Sequence, residues 1–321
     1  MNKSSYLQEI KGKNKRITAK FMTLVENNDT DAINELKTFF LEKSSVHTIG
    51  VTGLPGAGKS SLINNLIKYY RSKNLIIGVL AIDPTSSLTG GAILGDRIRM
   101  NDYILDENVF IRSMATRGKL GGLAPTTTAL IKILDVYGCD IIIIETVGTG
   151  QSEIDIAGLV DTVIVVSIPG TGDIVQALKA GVLEIADIFV INKSDQEGAA
   201  KHRLFLQQLI ELDTDNNNNN KWNRSIVETI AIKKDLKESG TMDLVEKIEN
   251  HFKNLKDTEK IISRRKSKIL SEILSIIQHK IKNEFLEDYN KEKIDSLIEK
   301  IINNELDPYT VAEEFLSSKR T

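Results

Sequence analysis

At 321 residues the chain is long enough for one large α/β domain and a smaller appendage. Its 42 Lys and Arg nearly balance 44 Asp and Glu, and no basic stripe interleaves with aromatics, so the charge pattern gives no reason to expect nucleic acid. The single cysteine, Cys139, excludes an internal disulfide framework and argues against a cysteine-built metal site, as expected in a reducing cytosol. No apolar run reaches signal-peptide or membrane-spanning length, so the expectation is a soluble cytoplasmic protein with no membrane partner. Histidines 47, 202, 251 and 279 are scattered without ligand spacing.

Apolar positions at Ile17, Phe21, Leu24 and Val25, then Ile33, Leu36 and Phe40, predict two helices in an N-terminal extension over residues 1–45. His47 to Thr52 reads as a short buried strand. It runs into Gly53-Leu-Pro-Gly-Ala-Gly-Lys-Ser60, a full match to the phosphate-binding loop pattern, and Ser61 to Ile67 then has helical apolar spacing. Leu75 to Ile82 is a continuous apolar run that stops at Asp83. Asn108 to Arg112 is a weaker strand, Ala124 to Tyr137 a helix, and Asp140 to Glu145 the most apolar strand. Asp161 to Ser167, Asp187 to Asn192 and Ser225 to Ala231 follow, with helical patterns between them. This alternation predicts an α/β fold, a doubly wound and mostly parallel sheet over residues 46–256.

The run Asn216 to Asn220 cannot pack and reads as a surface loop. Beyond it the strands cease. Ile262, Ile269, Ile273, Ile276, Ile277, Ile281 and Phe285 trace one long helical stripe, and Ile294, Leu297, Ile301 and Ile302 a second. Asp307 as N-cap with Pro308 at the first helical position starts a third helix. These form a C-terminal arm, residues 257–321, whose doubled isoleucines predict a homodimer interface.

The chemistry gathers around the loop. Gly53, Gly56 and Gly58, with Pro55 and Ala57 between them, allow successive N–H groups to turn inward, and Ser61 stands at the start of the helix behind. Lys59 is expected to reach the outer phosphates, and Ser60 to ligate Mg²⁺. Asp83, Asp96 and Glu145 fall at or just after strand ends, where oxygen ligands can complete a nucleotide-bound Mg²⁺ shell; capping of the next helix is the alternative for each. Gly148, three residues past Glu145, can offer an N–H to a γ-phosphate. Gln151 either orients water or is an ordinary polar turn residue. Asn192-Lys193-Ser194-Asp195 ends a strand, and Asp195 there can accept both guanine N1–H and N2–H₂, so GTP and GDP are the expected ligands. Ala231 can give its N–H to guanine O6, although a buried strand end would carry the same letters. Lys179 follows the loop Pro169-Gly-Thr-Gly172 and is either a solvated helix lysine or one that a partner presses toward the phosphates.

The segments Asp83 to Met100, Arg117-Gly-Lys-Leu-Gly-Gly122, Glu145-Thr-Val-Gly-Thr-Gly-Gln-Ser-Glu153, Pro169 to Asp173 and Gln176 to Gly181 resemble the methylmalonyl-CoA mutase-associated GTPases, MeaB or ArgK, of the SIMIBI class. The resemblance runs from about Arg16 to the end of the chain. It implies that Lys59 and Ser60 are the phosphate and Mg²⁺ residues, with Asp83, Asp96 and Glu145 as the metal shell. Asn192, Lys193 and Asp195 then read guanine, and Lys179 senses the partner. It further implies dimers joined through C-terminal helices, and a GTP-hydrolysing chaperone that guards adenosylcobalamin delivery to a cobalamin-dependent acyl-CoA mutase. Pro125-Thr-Thr-Thr-Ala129 lacks the Arg and Glu common in that family, and the Asn run is an insertion. A small-molecule kinase would need a second base outside the nucleotide site, and a metal-delivery GTPase of the same class would need a Cys/His cluster. Neither is evident in the sequence.

Overall fold

The computed structural model describes residues 5–43, 46–83, 103, 105–115, 124–146, 155–170, 182–215, 222–289 and 291–318. Within them β1 His47–Gly53, β2 Ile77–Asp83, β3 Val109–Ala115, β4 Ile141–Thr146, β5 Thr162–Ser167, β6 Ile188–Asn192 and β7 Ser225–Thr229 form one sheet. Its order is β3-β2-β4-β1-β5-β6-β7, with every pairing parallel. The isoleucine run of β4 shows why: Ile142 and Ile144 pack into one core and Ile141 and Ile143 into the other, so both faces are covered.

On one face lie α1 Tyr6–Lys11, α2 Lys15–Glu26 and α3 Thr30–Phe39, together with α5 Ala124–Tyr137; Phe21, Met22 and Phe39 meet Leu130 and Leu134 there. On the other face α4 Lys59–Ser72 and α8 Thr241–Asp257 bring Leu62, Leu66, Leu244 and Ile248 onto Val51 and Ile143. Short α6 Val182–Ile185 and α7 Ala199–Asp215 precede and follow β6.

Two expectations for the N-terminal segment need correction. Among the described residues three helices precede β1, not two. α1 has six residues, too short to show a periodicity, and Ser5 caps it by accepting from Gln8 N. In α3 the Asp29 cap sets the phase so that Phe39 is buried, while Phe40, expected in the stripe, is exposed.

Five of the seven strand starts shift by a residue or two, while β1 and β7 begin at His47 and Ser225 as expected. Asp140, Asp161 and Asp187 stand just before their strands and accept an N–H from a neighbouring segment: Ile76 N to Asp140 at 2.8 Å, Thr48 N to Asp161 at 3.1 Å and Val163 N to Asp187 at 2.9 Å. Each carboxylate satisfies a donor at the lower edge of the sheet.

The chain divides into two compact units, Met1–Ile269 and Leu270–Thr321. The N-terminal helices belong to the first. So do the opening turns of α9 Lys260–Asp288, because Arg264 pairs with Asp187 and Lys268 with Asp161. In the second unit the end of α9, α10 Lys291–Ile302 and α11 Pro308–Ser318 gather a small aromatic core, with Phe285 stacked on Tyr289 and edge-on to Phe315 at 5.1 Å. Asn216 to Asn220 lie outside the described residues.

Candidate functional site

Strand register builds the site. Val51 of β1 is level with Glu145 of β4, and Gly53 with Val166 of β5, so the loop leaving β1 emerges between the ends of β4 and β5. The backbone approach is close at both ends of the loop. Gly53 has φ 135°, and a Cβ there would lie 2.1 Å from Val166 O; Gly58 has φ 90°, and a Cβ there would lie 2.2 Å from Asn192 Nδ2. Between them Pro55 and Gly56 are exposed and Ala57 is buried, its N–H donated to Leu54 O at 3.2 Å. The loop passes straight into α4, where no side chain caps the helix start and the first N–H groups give it an anion-attracting character. Ser61 lies half-buried in that first turn.

Lys59 opens α4 and is buried. Its ammonium is buried and donates to Gly53 O at 2.6 Å and Leu54 O at 3.0 Å, closing the loop on itself, because a buried cation needs acceptors. Ser60 and Glu145, far apart in sequence, come together: Ser60 Oγ donates to Glu145 Oε1 at 2.8 Å, and both side chains are buried. One residue on, Thr146 Oγ1 donates to Thr52 Oγ1 at 2.9 Å and ties β4 to β1 directly beneath the site.

Asp83 ends β2, which runs beside β4 with Ala81 level with Glu145; the Asp83 side chain lies outside the described residues, as do Asp96, Gly148, Gln151 and Lys179 in full. Among the described residues no three His, Cys, Asp or Glu side chains cluster as a metal cage. A hydroxyl and a carboxylate, both hard oxygen donors, suit Mg²⁺, which takes few protein ligands and fills its shell with water and phosphate.

At the other end of the site β6 finishes in Asn192, Lys193 turns the chain with φ 56°, and Asp195 is exposed. Asn192 is a hub. Its Nδ2 donates to Ala57 O in the phosphate loop at 2.8 Å, while its Oδ1 accepts from Thr229 Oγ1 at 3.1 Å and Ala231 N at 3.0 Å. The Ala231 N–H, expected to face guanine O6, is therefore held by Asn192. Two features went unseen in the sequence. The Thr52 and Thr146 pair carries no motif, and Asn65, which donates to Ala231 O at 3.1 Å, carries only the hint of an amide among the apolar letters of α4.

A parallel sheet with its phosphate loop between β1 and α4 and an acid at the end of β4 defines a P-loop nucleoside triphosphatase. The family described as methylmalonyl-CoA mutase-associated GTPase MeaB matches residues 18–290, and the chain belongs to it: it is a GTPase that binds guanine nucleotide. A relative from Pyrococcus horikoshii that carries a GTPase name is 44% identical over 96% of this chain and 95% of its own length. GTPase ArgK of Escherichia coli is 45% identical over 46% of this chain and 44% of its own. The mouse mitochondrial methylmalonic aciduria type A homolog is 44% identical over 46% of this chain and 35% of its own. The solved LAO/AO transport system kinase is similar over 100% of this chain and 99% of its own, with a TM-score of 0.69 and 22% identity, a likeness of fold. Among the described residues no helix is long and apolar enough to cross a membrane.

Proposed function

We propose that this GTPase is a nucleotide-driven chaperone that gates adenosylcobalamin loading and protects a cobalamin-dependent acyl-CoA mutase of the methylmalonyl-CoA type. Membership of a family described by its association with that mutase carries the reading, and the mouse relative's name points the same way. In this reading Ser60, Asp83, Asp96 and Glu145 would hold Mg²⁺, some of them through water. Bound there, the metal would supply charge neutralisation to the transferring phosphate. The loop N–H groups and Lys59 fix the phosphates in line for attack, Gly148 meets the γ-phosphate and Gln151 orients water. Asp195 accepts the two guanine donors, and Asn192 and Lys193 frame the base. Lys179 is the partner-sensing cation that the family resemblance implies.

The same reading makes the chain a homodimer through residues 257–321, supported by the exposure of Ile269, Ile273, Ile277 and Ile281 along α9. The experiment is GTP turnover with and without a purified adenosylcobalamin-dependent mutase, for wild type and Lys179→Ala. The expected result is stimulation of wild type by at least tenfold and none of the variant, with nucleotide affinity unchanged. Unstimulated wild type would remove the mutase as partner, and equal stimulation would remove Lys179 from the response.

A further inference from the structure

The segment after β7 is held by amide side chains from two directions. Ala231 gives its N–H to Asn192 Oδ1 at 3.0 Å, and its carbonyl accepts from Asn65 Nδ2 at 3.1 Å. Asn192 is in turn fixed to Ala57 O of the phosphate loop, and Asn65 belongs to α4, the helix into which that loop runs. The connections close a ring: phosphate loop, Asn192, Ala231, Asn65, α4 and back to the loop. Asn65 is only 8% exposed and sits about 9 Å along the helix axis from Lys59, at 1.5 Å per residue. One turn further on, Lys68 Nζ donates to Lys234 O at 2.6 Å, a second grip of the same helix on the same segment.

Peptide groups are planar, so holding both the N–H and the C=O of Ala231 fixes the two peptide planes on either side of it. Those planes set the direction of the backbone from β7 into the 231–235 turn, which lies beside Asn192 at the edge where a base would be read. A donor placed on α4 therefore couples the phosphate end of the site to the base end through one rigid helix.

We propose that Asn65 is a positioning residue for guanine recognition, holding the Ala231 segment and, through the Ala231 N–H, the Asn192 hub from which the base-reading segment 192–195 departs. The proposal rests on Asn192-Lys-Ser-Asp195 being the guanine-reading segment. Without the Asn65 amide, a buried carbonyl loses its donor and the peptide is free to rotate, while Lys59, Ser60 and Glu145 keep their places.

The test compares wild type with Asn65→Ala and with Asn65→Asp, which keeps the shape and lacks the N–H donor, using Asp195→Asn as a control. Dissociation of fluorescent GDP, competition by GDP and ADP, kcat and KM for GTP, and the melting temperature of the ligand-free protein are measured on the full chain. Both Asn65 variants are expected to release GDP about tenfold faster and to lose a similar factor of preference for GDP over ADP. KM should rise while kcat at saturating GTP stays within about twofold. Unchanged GDP release and preference in both variants would overturn the proposal. So would equal weakening of GDP and ADP with a lowered melting temperature, the signature of a packing role alone. If Asp195→Asn also leaves the GDP to ADP ratio untouched, the guanine-reading assignment itself fails and the inference falls with it; if only the Asn65 variants leave it untouched, the inference alone fails.

Discussion

Gly58 carries two demands at once: a left-handed φ of 90° and a backbone so close to Asn192 that a methyl group would lie 2.2 Å from Nδ2. The far end of a side chain can usually swing aside, but Asn192 is held by Ala57 O, Thr229 Oγ1 and Ala231 N. Relieving the clash would therefore break a buried hydrogen-bond hub. Gly58→Ala is expected to destabilise the ligand-free protein by about 2–3 kcal/mol, combining backbone strain with a lost buried bond, and to weaken GDP binding more than tenfold. Urea unfolding and fluorescent GDP titration check both; a change below about 0.5 kcal/mol, the scatter of surface substitutions, would show that the hub yields freely. At this scale the letters of the site were legible and their partners were not. The spacing of Gly53 to Ser60 identifies a phosphate loop because that chemistry needs those residues in a row. Nothing local in the sequence says that Ser60 meets Glu145, that Lys59 turns back onto Gly53 O, or that the N–H of Ala231 is taken by Asn192.

Among the elements, the centres of the strands were readable because continuous apolar runs have one use in a parallel sheet covered on both faces. Five of their starts were not, since residues such as Asp161 and Asp187 look like strand residues until their long-range partners are known. Below the sheet, Arg264 donates to both Asp187 oxygens, at 3.0 and 2.6 Å, and Lys268 to Asp161 at 2.7 Å. His251 Nε2 lies 3.3 Å from Asp187, and Thr162 Oγ1 bridges His251 to His47 at 2.9 and 2.8 Å. Burial alone would raise the Asp187 carboxyl, but the adjacent His251 ring and the Arg264 guanidinium outweigh it and hold it at about 2. Arg264→Ala leaves that buried carboxylate without its fork and is expected to lower stability by about 3 kcal/mol in urea unfolding, whereas a surface arginine would change almost nothing.

The same cluster sets the direction of pH dependence. Burial pushes the His47 imidazole down to about 3 from its ordinary 6.5, against the opposing charge of Asp161. Between those values the unfolded chain takes up a proton that the folded chain refuses, so stability falls as pH falls from 6.5 toward 3. Asp187 adds a lower window: the stability it contributes is complete above its ordinary 3.8 and disappears as pH falls toward 2. The urea midpoint should therefore decline steadily below pH 6.5, with a shallower decline in His47→Gln. A flat profile down to pH 4 would contradict a buried neutral His47.

For the whole molecule the question is what covers α9. This helix has 29 residues and spans about 43 Å at 1.5 Å per residue, and its isoleucines recur on one side for most of that length. Ile273 and Ile277 are 48% and 46% exposed, one turn apart, with Ile269 and Ile281 continuing the row in each direction. A stripe of this kind on a chain with abundant Lys and Glu for surface positions is a contact waiting for a partner, and the simplest partner presenting the same stripe is a second copy related by a twofold axis. The arm must be cut with care to test this. Removing residues from 258 onward would also remove Arg264 and Lys268 and leave Asp187 and Asp161 buried without them, confusing dissociation with unfolding. The division after Ile269 keeps those pairs, so residues 1–269 provide the cleaner comparison. The full chain is expected to show twice the monomer mass in light scattering. The 1–269 fragment and the full-length double substitution Ile273→Glu with Ile277→Glu should each show a single mass while still binding GDP. A full-length chain that scatters as a monomer, or a double variant that remains dimeric, would mean that the isoleucine stripe serves some other contact.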